Sequence, residues 1–152
     1  MEALLLALQE SGLAEAMRRS VFLYPLANVL HVLGALIFFA AVAAMDVRVL
    51  SHSALAGTRA FIARVRPVAI AGLAVQATTG LMLLSPEATH IGHNPVFRLK
   101  LLAILLGLAN VLVLETAIRR AEGISGTARA SAVASLALWL STATAGRLIA
   151  YF

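Results

Sequence analysis

Four long apolar stretches, at about 21–45, 67–84, 96–118 and 129–150, fill most of this 152-residue chain. Each reaches the roughly 17–25 residues that a helix needs to cross the hydrocarbon core of a bilayer. In hydrocarbon every backbone N–H and C=O must find its partner within the protein, so such stretches fold as helices. The expected architecture is all-α: a four-helix transmembrane bundle forming a single integral-membrane domain over 1–152, with no room for an extramembrane domain. Composition agrees, since only 12% of residues are charged, against roughly 25% in a typical soluble domain. There is no cysteine, which excludes disulfides, thiolate metal sites and iron–sulfur clusters. The net charge of +5 is spread over the loops rather than gathered into a basic surface, so nucleic acid is not an expected partner.

The segment before the first span is apolar at 4–8 but follows an acid and is short, unlike a secretory signal. Polar and apolar residues then mix through Arg19. The expectation is a short N-terminal amphipathic interfacial helix over about 2–18, broken near Gly12, with a frayed terminus as the plain alternative. Basic residues set the orientation. If the helices alternate, one side holds Arg48, Arg59, Arg64, Arg66, Arg119, Arg120 and Arg129. The other holds Arg18, Arg19, Arg98, Lys100 and Arg147. The richer side is expected to be cytoplasmic, which places both termini outside, in the periplasm of a bacterial inner-membrane protein.

An ionisable group inside a span is costly and marks a functional site by default. His31 lies six residues past Pro25, about 9 Å deep at the helical rise. Gln76 lies about 12 Å from the same side, Thr79 is shallower on the same helix, and Lys100 enters about 7 Å. Arg98 and Arg147 stand at that outer edge. Antiparallel helices can gather these groups around one outward-half cavity. Stripes of small residues accompany them: Gly34 and Ala35, Gly72, and Gly107 let backbones approach or leave room for a ligand. The plainer roles are a hydrogen bond from His31 to Gln76 or Thr79, and snorkelling of Lys100 and Arg147 to the interface.

Other polar residues read more simply. His90 and His93, three apart in the 85–95 loop, are candidate metal ligands, although two histidines in a loop are more often solvated. His52 reads as a loop histidine. Asp46 with Arg48 and Glu115 with Arg119 read as ion pairs anchoring the inner ends of spans one and three. Asn110 is the one polar group placed between Glu115 and His31. Trp139 and Ser135 share a face of span four. Tyr24, Tyr151 and Phe152 read as an interfacial aromatic belt.

Several strings together carry a resemblance. Tyr24-Pro25, His31 with Gly34, and Asp46-Val47-Arg48-Val49-Leu50 resemble the opening of an uncharacterised bacterial family of four-span membrane proteins, a domain of unknown function. Thr79-Gly80-Leu81, Asn94-Pro95-Val96-Phe97-Arg98-Leu99-Lys100 and Gly146-Arg147-Leu148-Ile149-Ala150-Tyr151 extend the likeness along nearly the whole chain. Val47 departs from that pattern, where the family has Leu, and so does the His90/His93 loop. More distantly, the early-span histidine and the Phe-Arg-Leu-Lys opening of span three are similar to copper-resistance D-type membrane proteins and to the four-span bacterial protoporphyrinogen oxidase. The last resemblance implies a haem-binding histidine at His31, with Lys100 as the third-span counterpart.

What the resemblance implies is a haem b protein working in electron transfer or as a membrane oxidoreductase, with a redox protein or quinone as partner. His31 would be the axial ligand, with His93 or His90 folding inwards, Lys100, or nothing as the second. Arg98, Lys100 and Arg147 would meet the propionates, and Gly34, Ala35, Gly72 and Gly107 would make room for the macrocycle. The alternatives are a copper-handling or transport protein using His31, His90, His93 and Met82, and a cofactor-free subunit or quinone- or lipid-binding bundle. A homodimer is the simplest assembly.

Overall fold

The computed structural model describes residues 2–52, 54–120 and 122–151, and among these the chain is helical with no strand. Phe152, assigned above to the aromatic belt, lies outside the described residues. Two short helices open the fold, α1 (Glu2–Gln9) and α2 (Gly12–Arg19), followed by α3 (Leu23–Ser51) and α4 (Leu55–Leu84). A 3-10 turn, Ser85–Glu87, leads to the one-turn α5 (Ala88–His93), and then come α6 (Pro95–Arg120) and α7 (Gly126–Leu148). By length and composition, α3, the stretch from Leu55 to His93, and α6 as far as Arg119 can each cross a membrane. The 23-residue helix α7 is long enough too, but Ser, Thr and Arg residues dilute its apolar face.

Local chemistry sets the helix ends. The Asn94 side chain accepts from the backbone N–H groups of Val96 and Phe97 at 2.8 and 3.3 Å, and Pro95 takes the first helical position, where a missing N–H costs nothing. Ser125 caps α7 by accepting from Ala128 N at 3.1 Å. Ser11 does the same for α2, so the N-terminal helix breaks at Glu10–Ser11, next to Gly12. In α7, the hydroxyls of Ser141, Thr142 and Thr144 donate to carbonyls four residues back, at 2.8, 2.9 and 2.9 Å. These internal bonds let a hydroxyl-rich helix sit in apolar surroundings.

The four long helices run up and down. The end holding α1, α2, α5 and the C-terminus is called here the terminal end. The other is the arginine end. Helix α4 begins twelve residues before the apolar stretch that starts at Pro67, and Pro67 sits inside it without ending it. Hydropathy places a boundary there because proline and three arginines interrupt the apolar run. The helix continues because α6 absorbs the arginines. Arg66 pairs with Glu115, and Arg59 donates to the carbonyls of Ile118 and Arg119 at 2.6 and 3.1 Å. Glu115 also takes Arg119 at 2.6 Å, the pair read from spacing. Asp46 and Arg48 do not pair. Two residues apart on a helix, they face different neighbours: Arg48 bonds to His52 at 2.9 Å and lies over the Phe61 ring, while Asp46 is buried.

Packing follows two hairpins, α3 with α4 and α6 with α7, joined through α3 and α7. The first closes on glycine. A Cβ on Gly72 would lie 2.8 Å from the Phe38 backbone nitrogen, and one on Gly34 would lie 2.9 Å from Val75. In the second, Trp139 lies on Gly107. Its ring meets Phe38 edge-on at 4.6 Å, which ties the hairpins together. Val49, Leu55, Ile62, Ile118, Ala128 and Ala132 form an apolar cluster at the arginine end. The 85–95 connection is helical rather than an open loop, and the N-terminal helices dock on it. Gln9 accepts from Thr89 N and Oγ1 at 2.9 and 2.6 Å, and Arg18 donates to Pro86 O at 3.2 Å.

The glycine crossing gives a direct test. Gly72→Ala should lose about 1–3 kcal/mol through overpacking against backbone, seen as a lower melting temperature in detergent. Gly12→Ala, with open space around position 12, should leave melting unchanged or raise it.

Candidate functional site

The Gly34–Gly72 approach sets the register of α3 against α4 on its terminal side. Phe38 lies against Gly72, Gly34 against Val75, and one helical turn further His31 meets Thr79 and Gly80. Gly80 is the floor of this site, since a Cβ there would stand 3.2 Å from His31 Cε1. Its role was not evident from the sequence, where it is one more small residue in an apolar span. The pairing of a histidine with a glycine across a helix contact is a tertiary fact.

Hydrogen bonding then determines the imidazole's tautomer. Thr79 Oγ1 lies 2.6 Å from the Val75 carbonyl, which only accepts, so the hydroxyl proton is donated there. A hydroxyl has one proton. Toward His31 Nδ1, at 2.9 Å, Thr79 can therefore only accept, and Nδ1 carries the hydrogen. In the neutral ring the lone pair is at Nε2, the arrangement by which a second group orients a ligating histidine. The Gln76 side-chain amide donates to the His31 backbone carbonyl rather than to the ring. It fixes the peptide on which the imidazole is mounted.

Lys100 approaches from α6. It is half-buried, its ammonium lies along Gly146 of α7, and it is close enough to His31 to interact electrostatically. Gln76 and Thr79 therefore bond to His31, while Lys100 lies against Gly146 of α7 and reaches the ring through its field alone. Arg98 and Arg147 do not join them. Arg98 donates to Gly92 O at 3.1 Å. Arg147 is exposed, bonded to Tyr151 Oη at 3.2 Å with its guanidinium over the tyrosine ring.

His90 and His93 are exposed on α5. His93 Nδ1 donates to Thr89 O at 2.6 Å, and His90 stands 4.0 Å from Glu87. Among the described residues no group of three or more His, Cys, Asp or Glu side chains is placed to hold a metal ion. The small-residue stripes also serve differently from the expectation that they make room for a macrocycle. Gly34, Gly72 and Gly107 are filled by Val75, Phe38 and Trp139. A groove of about 270 Å³ between α6 and α7, lined by Leu99, Leu102, Ala103, Leu106, Leu138, Ser141 and Ala145, does not include His31.

The tautomer can be checked by nitrogen-15 NMR of the His31 ring. The wild type and Thr79→Ser should show a protonated Nδ1 and an unprotonated Nε2 at neutral pH. Thr79→Val, which removes the acceptor but keeps the shape, should lose that preference and populate the other tautomer. Comparison of the chain with protein-family models, with curated proteins and with solved structures finds no match.

Proposed function

We propose that the chain is a haem b-binding integral membrane protein of a bacterial inner membrane, working in electron transfer or as a membrane oxidoreductase. One observation carries this: the Thr79 hydroxyl, committed to Val75, holds His31 Nδ1 as a donor and leaves the Nε2 lone pair for a metal. An axial ligand needs a lone pair of this kind, with the ring held by a hydrogen bond at its other nitrogen. Lys100, near His31 on a different helix, supplies a cation for a propionate or a second ligand. Arg98 and Arg147 at the same end offer further charge to propionates that emerge there.

When bound, the haem supplies one-electron chemistry; this chain's residues hold and orient it. His31 would hold the haem iron through Nε2; Gly80 gives the imidazole its space, and Thr79 and Gln76 lock the ring and its peptide. The donor set fits haem, while the interior glycine contacts do not supply a slot because their neighbours occupy them. The residues that would hold the macrocycle, His31 with Thr79 and Gln76, lie on the terminal side of the Gly34–Gly72 crossing. A copper site has less support, because His90 and His93 are engaged on α5 and apart from the groups around His31. The distant resemblance of His31 and of the Phe-Arg-Leu-Lys opening of α6 to the four-span protoporphyrinogen oxidase is the sequence support for this reading.

The same proposal has α7 as a fourth span, its hydroxyls satisfied within the helix. The arginine end faces the cytoplasm, and α1 and α2 lie at the outer interface, where Arg18, Arg19 and apolar residues meet headgroups. A homodimer and a quinone or redox-protein partner complete it.

Protein purified in mild detergent from cells with ample haem supply should show a Soret band, with α and β bands sharpening on reduction by dithionite. His31→Ala should lose the pigment while keeping its helical content. A colourless wild type, or a His31→Ala variant with the full spectrum, overturns the assignment. Stoichiometric copper in colourless protein would then favour metal handling.

A further inference from the structure

Asp46 is the single aspartate of the chain. It sits on α3 fifteen positions beyond His31, about 22 Å away at the helical rise. Its side chain is 1% exposed, among the most deeply buried in the protein. One carboxyl oxygen, Oδ2, is buried without a hydrogen-bond partner, and the polar side chain beside the carboxyl is Ser135 on α7. Ser135 is 3% exposed. One turn further on the same face of α7 is Trp139, whose indole N–H is also buried without a partner.

The charged groups on the surrounding helices are committed elsewhere. On α3, Arg48 bonds to His52 through one terminal nitrogen and lies over Phe61, with its Nε buried and without a partner. On α4, Arg59 reaches the end of α6, Arg66 pairs with Glu115, and Arg64 is exposed. On α6, Glu115 is shared between Arg66 and Arg119. On α7, Arg129 donates to Leu50 O at 2.7 Å.

An ionised carboxylate so placed would be a buried charge beside one hydroxyl and without a salt bridge, which costs several kcal/mol or more. A protonated carboxyl removes that charge, with the proton on the unpartnered oxygen. A hard metal cation needs several converging oxygens, and Asp46 with Ser135 offers too few. We propose that Asp46 is a proton-binding site within the bundle, separate from His31. Its carboxylic acid releases a proton to give the carboxylate, which Ser135 stabilises as a donor, and takes a proton back. Intramembrane carboxylates in packed bundles serve proton relays in this way.

Because the chain has one aspartate, carbon-13 labelling of aspartate carboxyls makes the infrared spectrum report Asp46 alone. In lipid nanodiscs the label should appear as a carboxylic-acid C=O stretch at mildly acidic pH, where an exposed aspartate is already carboxylate. It should convert reversibly to carboxylate as pH rises, with helical content retained. Asp46→Asn, which mimics the neutral acid, should fold and lack the band. Ser135→Ala should move the band to higher frequency through loss of a hydrogen bond. A label that stays in carboxylate form down to the acidic range in which an exposed aspartate protonates overturns the proposal. So does an acid band that persists unchanged up to the pH at which the helices are lost, because that carboxyl would be only a fixed packing element.

Discussion

The close approach of α3 to α4 at Gly34 and Gly72 is the contact on which the rest of the structure depends. Without a Cβ at either position the two backbones meet almost directly, with Phe38 on Gly72 and Val75 on Gly34. In apolar surroundings such contact supplies dispersion attraction where no hydrophobic effect acts between helices. It also fixes register. One turn toward the terminal end, that register delivers the His31 ring to Gly80 and Thr79. On the opposite face, Phe38 meets Trp139 and joins the second hairpin. Helix α7 then aligns Ser135 with Asp46. Both polar sites of the bundle are consequences of one small-residue crossing.

The protein meets the cost of polarity among apolar helices in three ways. Hydroxyls of α7 fold back onto carbonyls of their own helix. Arginines at one end reach across from α4 to α6, where Glu115 and free helix-end carbonyls receive them. The remaining groups, His31 and Asp46, are each given a neutral hydroxyl partner from another helix. The third arrangement leaves one atom of each side chain, Nε2 and Oδ2, uncommitted.

Much of the candidate site was legible in depth but not in direction. Counting residues from Pro25, Leu84 and Pro95 placed His31, Gln76, Thr79 and Lys100 at similar levels, and the structure bonds Gln76 and Thr79 to His31, with Lys100 against Gly146 of α7. The same counting placed Arg98 and Arg147 at that level too. Those two turn away because helix-end carbonyls and Tyr151 are nearer partners than the bundle interior. The glycine stripes were visible as stripes, yet whether a glycine leaves room or is filled depends on the residue opposite. Gly80, floor of the site, and Asp46, read from spacing as half of an ion pair, became recognisable only once α3 was set against α4 and α7.

The sequence by itself determined the all-helical class, the apolar stretches, the polarity of the two ends and the Glu115–Arg119 pair. All of these follow from local periodicity, composition or spacing along one helix. Tertiary structure decided the passage of α4 through Pro67, the docking of the N-terminal helices, the tautomer of His31 and the burial of Asp46. Each of these depends on which side chain a neighbouring helix presents. That is set by crossing contacts between residues dozens of positions apart, which no local pattern encodes.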